Sequence, residues 1–209
     1  MTDQFPLEIG ADPETVVAKS NDLVRGRHDF RGRHDFSTLE QRIFVAMVAQ
    51  LNRETEFPVV EIPLGEVCEL SGTDKSNLYR EAQRLCDTLA SRTIGVHDTT
   101  DEEGIPRYTS YPCFRFCRHV KGTGVIQAKF SDELEPYLLR LKEKFTLYLL
   151  EVFLRLRSKY STQIYELVKM RQGISRLEMS VEEFRRKLRL EDETGRQVFP
   201  VFLTPGPRD

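Results

Sequence analysis

The sequence has no tryptophan, four cysteines and four histidines among its 209 residues. Without tryptophan, the aromatic volume of any core falls to thirteen phenylalanines and seven tyrosines. The cysteines stand at 68, 86, 113 and 117 and form no small-scaffold framework, which fits a reducing cytoplasm better than an oxidising compartment. No run of about 18 apolar residues occurs, so a membrane-spanning helix is excluded. Met1 to Asp12 is acidic and lacks the apolar centre of a signal peptide. An excess of one charge sign is missing too, because the net charge is −2.

What is present is a chain 39% hydrophobic and 31% charged, enough for a real core under a surface of mixed sign. Its length suits one large domain or one and a half small ones. Charge is unevenly spread. Residues 54–104 hold twelve acidic and four basic side chains. Residues 105–130 hold Arg107, Arg115, Arg118, Lys121 and Lys129 and no acid, and residues 136–176 hold nine basic and three acidic side chains. Folding that gathers the basic segments on one face would make a phosphate-binding surface. An ordinary solvated surface has the same composition.

Residues 1–14, with Pro6 and Pro13, are expected to be a disordered acidic tail. Arg25-Gly26-Arg27-His28-Asp29-Phe30 is repeated at once as Arg31-Gly32-Arg33-His34-Asp35-Phe36, a hexamer insertion of the kind loops absorb because closure entropy grows slowly with length. Ser37 and Glu40 predict a capping box for a helix over 38–52. Val59–Ile62 predicts a short strand. A short helix over 64–70 ends at Gly72, and a longer one follows over 75–91 with Leu78, Ala82, Leu85 and Leu89 inward. That pair is a helix-turn-helix pattern. Strands are expected at Thr93–His97, Tyr108–Lys121 and Gly124–Phe130, with Gly122-Thr123-Gly124 as a tight turn. Helices then follow from Ser131 to about Lys142, over 147–157 and over 159–172. The last places Ile164, Leu167 and Val168 on one face. The fold class expected is α+β: a winged helix with flanking helices over 15–175, then over 176–209 the start of an incomplete second winged helix and an irregular tail.

Three segments, Lys19-Ser20-Asn21-Asp22-Leu23, Leu39-Glu40-Gln41-Arg42-Ile43 and Ser158-Lys159-Tyr160-Ser161-Thr162-Gln163-Ile164-Tyr165-Glu166-Leu167, resemble in order the signature of the Rep_3 family of plasmid replication initiators. The resemblance covers roughly 17–190. It implies binding to repeated double-stranded sites at a plasmid origin, autoregulation as a homodimer, and recruitment of host replication proteins. It implies no catalysis and no cofactor. In that family the second winged helix is commonly the stronger reader of sequence, and the first supplies dimerisation and backbone contacts. Here Phe199–Pro207 departs from the second module, which leaves a truncated dimerising regulator or interaction module as the alternative.

For the DNA-contacting residues, the 75–91 helix offers Lys75, Ser76, Asn77, Arg80 and Arg84, because side chains near a recognition helix's start reach base edges and phosphates. Arg107, Arg115, Arg118 and Lys121 would let a wing track the backbone. Arg157 and Lys159 form a third basic cluster, at phosphates or at a junction between modules. Each has a plainer reading as a solvated face.

Two metal readings fail. In a regular strand Cys113 and Cys117 share a face but lie about 13 Å apart, at ~3.3 Å per residue, too far for one ion. His28-Asp29 and His34-Asp35 look like the metal pair of a phosphohydrolase, yet a slipped duplication explains both, and no metal site is expected.

Overall fold

The structure, a computed structural model, describes residues 14–25, 36–51, 56–65, 74–98, 107–120, 122–139, 141, 145–172 and 178–188. The acidic tail up to Pro13, most of the repeated hexamer, residues 66–70 of the short helix, the 99–106 connection, Lys121 and the tail after Leu188 lie outside the described residues. The chain divides into two compact units, Met1–Gly173 and Ile174–Asp209.

The first unit opens with β1 (Val16–Ser20) and α1 (Asn21–Arg25). Helix α2 (Thr38–Ala49) starts at Ser37, whose hydroxyl accepts the Glu40 N–H while the Glu40 carboxylate accepts the Ser37 N–H. The expected capping box is therefore present. Nearly every residue of α2 is buried, so it runs through the core rather than along a surface. Strand β2 (Val60–Pro63) follows, its free edge met by Gln50, whose amide donates to Glu61 O at 2.7 Å and whose carbonyl accepts Glu61 N–H at 3.3 Å. Helix α3 (Lys75–Ala90) buries Ala82, Leu85 and Leu89 of the expected stripe together with Cys86, while the side chain of Leu78 lies outside the described residues.

The single strand expected at Tyr108–Lys121 is two. Strands β3 (Thr93–Asp98) and β4 (Arg107–Pro112) pair as one antiparallel ribbon. At Cys113 the chain changes partners: its N–H donates to Arg92 O and its carbonyl accepts Ser131 N–H. Strand β5 (Phe114–Val120) then pairs with β6 (Val125–Phe130). The turn between them needs left-handed backbone at Gly122 (φ 84°) and Gly124 (φ 65°), which costs glycine nothing. β6 also pairs with β2, giving the sheet order β2-β6-β5. A strand from before α3 bonded to the last strand of the hairpin after it is winged-helix connectivity.

Downstream, the helix expected from Ser131 to Lys142 is only a 3-10 turn (Asp132–Leu134) and α4 (Glu135–Leu138). Leu139 leaves the helix in extended conformation and is buried beside Leu138. The helix expected over 147–157 begins instead as β7 (Phe145–Leu149), antiparallel to β1, and becomes α5 only at Leu150–Arg155. Alternation explains this: Thr146 and Tyr148 are buried while Phe145, Leu147 and Leu149 are exposed, a period of two. Helix α6 (Lys159–Met170) is capped by Ser158. Its buried residues are Thr162, Glu166 and Leu167, whereas Val168 is exposed, so the apolar face read from Ile164 and Val168 is displaced toward polar side chains.

Phenylalanine fills the core that has no tryptophan. Phe44 meets Phe36, Phe114 and Phe130 edge-on, with centroids 6.0, 5.9 and 5.6 Å away. Such pairs add about 0.5–1.5 kcal/mol each beyond area burial. In the second unit, α7 (Val181–Leu188) starts with Ser180, which accepts Glu183 N–H through its hydroxyl and Phe184 N–H through its carbonyl.

Candidate nucleic-acid interface

Helix α3 packs against β5, so the two candidate DNA-contacting elements form one continuous region. Lys75, Ser76, Asn77 and Arg80 lie in the first half of α3, where the side chains fall outside the described residues. Helical spacing still places positions 77, 80 and 84 on one stripe, opposite the buried 82, 85, 86 and 89. Arg84 is exposed there, with Gln83 and Asp87. Arg107 opens β4 with its side chain outside the described residues, as is the whole of Lys121.

On the wing, β5 carries a bulge between Phe114 and Phe116, which breaks regular alternation at that point and leaves it intact from Phe116 onward. Arg115 occupies the bulge. Beyond it, Cys117 and His119 stand opposite the buried Ala128 and Ile126, while Phe116 and Arg118 stand opposite Lys129 and Gln127. Cys117 and His119 thus share the inner side of the sheet, and the outer side carries Phe116, Arg118, Gln127 and Lys129. Arg118 lies over the Phe116 ring at 5.4 Å. Lys129 is a candidate position that pattern reading leaves out; the register across from Phe116 is what brings it in.

Arg115 finds a carboxylate partner outside its own acid-free segment. Arg115 meets Asp132 at 3.5 Å, with both side chains about two-thirds exposed. Arg118 Nε donates to Gln127 Oε1 at 2.6 Å, and Gln127 donates in turn to Glu61. An exposed pair such as Arg115–Asp132 is worth only about 0–1 kcal/mol, so a phosphate can displace the aspartate cheaply.

Arg157 and Lys159 fall elsewhere. Arg157 is exposed in the connection between α5 and α6. Lys159, the first residue of α6, lies over the Tyr160 ring at 5.3 Å. Helix α5 packs chiefly on α2 and β7, and α6 on β7 and α1. Neighbouring Arg155 is tied to Glu151 one turn earlier. The third basic cluster therefore stands apart from the helix and wing.

The three signature segments build a buried polar network. Lys19 Nζ and Glu166 Oε1 are 2.7 Å apart, both side chains less than a tenth exposed. Tyr148 OH donates to the same carboxylate oxygen, and the Lys19 ammonium stands 5.6–5.8 Å from the rings of Phe44, Tyr148 and Phe153. Burial and the Glu166 charge hold the Tyr148 hydroxyl well above its ordinary pKa. Thr162 Oγ1 donates to Gln41 Oε1 at 2.8 Å, Thr146 Oγ1 to Asn21 Oδ1 at 2.6 Å, and Arg42 to Leu156 O at 2.5 Å. Desolvation pushes Arg42 below its ordinary value. Glu40 accepts two bonds from Arg92, at 2.8 and 3.0 Å. Arg92 sits two residues past the end of α3, so the capping carboxylate of α2 also fixes where α3 stops.

Residues 16–169 match the family model described as "Initiator Replication protein, WH1". Among solved structures, the crystal structure of Pi initiator protein in complex with iteron DNA is similar in fold, with a TM-score of 0.65 and 19% identity. The similarity covers 87% of this chain and 75% of that one. No curated protein sequence matches.

Proposed function

The chain belongs to the family of initiator replication proteins, its match lying in the first winged-helix domain, and we propose that α3 and the β5–β6 wing are the face it turns to the repeated sites of a plasmid origin. The observation that carries this reading is the direct packing of α3 on β5. It makes α3 and the wing one unit, each carrying basic residues on its solvent side: Arg84 on the helix and Arg115 and Arg118 on β5. Asn77, Arg80 and Arg84 are side-chain types that pair with adenine and guanine edges, with Lys75 and Ser76 at the helix start for a phosphate. Arg107, Arg115, Arg118, Lys121 and Lys129 are the backbone contacts that set register and affinity without reading sequence. Arg157 and Lys159 form a separate basic patch for phosphate. The role is positioning of DNA and recruitment of host replication proteins in the cytoplasm, without a catalytic step.

A titration against origin repeats and a shuffled duplex at two salt concentrations tests this. Specific recognition gives tighter binding to the repeats, with affinity falling steeply as salt rises. Equal affinity for both duplexes reduces the domain to backbone contact.

A second reading, a dimerising regulator, is favoured by the outer face of the β1–β7 ribbon. Phe145, Leu147 and Leu149 are 39%, 49% and 40% exposed there, opposite Ser20, Ala18 and Val16. An apolar sheet face of this kind suits a second copy of the chain. Sedimentation of the wild type against Leu147→Asp checks it: a dimer that dissociates in the variant supports the ribbon as the dimer interface, and an unchanged dimer places it elsewhere.

A further inference from the structure

Two of the cysteines meet across the packing of the recognition helix on the wing. Cys86 lies on the buried face of α3, and Cys117 lies on the inner side of β5, partly buried against the same core. The buried face of α3 packs on this side of β5, and the two thiols are close enough there for the bond between them to perturb both. The bulge before Phe116 makes this possible, because it sets Cys117 opposite the buried Ala128. We infer that Cys86 and Cys117 form a reversible disulfide under peroxide, clasping α3 to the wing and changing how the two are presented to DNA.

The chemistry balances with hydrogen peroxide as oxidant. The Cys86 sulfur attacks one peroxide oxygen, the O–O bond breaks, and water leaves a sulfenic acid behind. The Cys117 sulfur then displaces the sulfenic hydroxyl as a second water, closing the S–S bond. Two thiols lose two electrons and two protons, and peroxide becomes two waters. Cys86 is the better first nucleophile: the bond from Cys117 holds it below its ordinary value, against opposing effects of burial and Asp87. That same bond, together with burial, holds Cys117 strongly upward, so Cys117 acts second. Cys113 is fully buried, and desolvation raises its thiol far above the usual range, which removes it as a competitor. A disulfide that is transient in a reducing cytoplasm is the regulatory kind.

The effect on DNA rests on the proposed interface, while the clasp itself does not. The test therefore has two independent readouts on the full chain. After peroxide, non-reducing peptide mapping is expected to yield a Cys86–Cys117 cross-linked pair, reversed by dithiothreitol and absent from Cys117→Ala and from Cys86→Ala. Wild-type mapping decides the matter even where a variant fails to fold. Sulfinic acid at either position, or pairing to Cys68 or Cys113 instead, overturns the clasp. The oxidised protein is further expected to differ from the reduced protein by about fivefold or more in DNA affinity. A mapped disulfide with unchanged affinity, where the reduced protein binds, overturns the regulatory role. Failure of the reduced protein to bind at all counts against the interface and leaves the mapping result standing.

Discussion

Around β1, β7 and α6, charged side chains are buried and matched: Lys19 with Glu166, Glu40 with Arg92. Across α3 and β5 the same residue types stand in solvent, and their partners are loose, as with Arg115 and Asp132 at 3.5 Å. A charge taken from water must find a fixed partner or cost several kcal/mol, whereas an exposed one is held weakly and stays available. The buried set therefore ties segments of chain together, and the exposed set can exchange a carboxylate for a phosphate. The motifs by which the family is recognised belong to the first set. They specify the scaffold, while the proposed DNA-contacting residues are arginines whose sequence context is unexceptional.

The strongest way to break this contrast is Glu166→Ala, which leaves Lys19 buried without its carboxylate. A loss of about 3–5 kcal/mol in urea unfolding is expected, a large part of the stability of a typical domain. A loss under about 1 kcal/mol would mean that the buried pair is no firmer than the surface ones. The same network carries a pH limit. The Tyr148 pKa is raised in the folded state, so its contribution is intact below the ordinary tyrosine range near ~10 and is lost as pH climbs above it. Tyr148→Phe should flatten the alkaline limb of the stability profile, and an unchanged limb would assign it to other groups.

On the exposed side, Arg80→Ala combined with Arg84→Ala should weaken DNA binding by about 1–3 kcal/mol for each base edge no longer bonded, while leaving the urea midpoint in place. Retained affinity would remove α3 from the interface. Ser37→Ala, which removes one half of the capping box and loosens the Glu40 geometry that Arg92 relies on, should cost about 1 kcal/mol. Smallest of all is Arg115→Ala. Stability should shift by less than about 0.5 kcal/mol, with the salt dependence of binding shallower by roughly one phosphate. A steeper loss of stability than of salt slope would make Arg115 a structural residue after all.

Much of this domain is visible in the sequence where the signal is local. The Ser37–Glu40 cap, the apolar stripe of α3 and the glycine turn at 122–124 each depend on residues a few positions apart. What is hidden depends on distant partners. Phe145–Phe153 is an apolar run that fits either period, and only pairing with Val16–Ser20 selects a strand at its start. The bulge at Arg115 shifts the inner face from one set of β5 residues to the other, and no residue type announces it. The buried face of α6 is hidden for another reason: Thr162 and Glu166 are polar, and their burial makes sense only with Gln41, Lys19 and Tyr148 in place.

Lys19 and Glu166 are separated by 147 positions in the chain. A ribosome adding about 5–20 residues per second needs roughly 7–30 s to travel from one to the other. Throughout that interval the first strand has neither its β7 neighbour nor its counter-ion. Closure of the domain is thus a late event in synthesis, and the early strand is the stretch most in need of a chaperone's protection until α6 emerges.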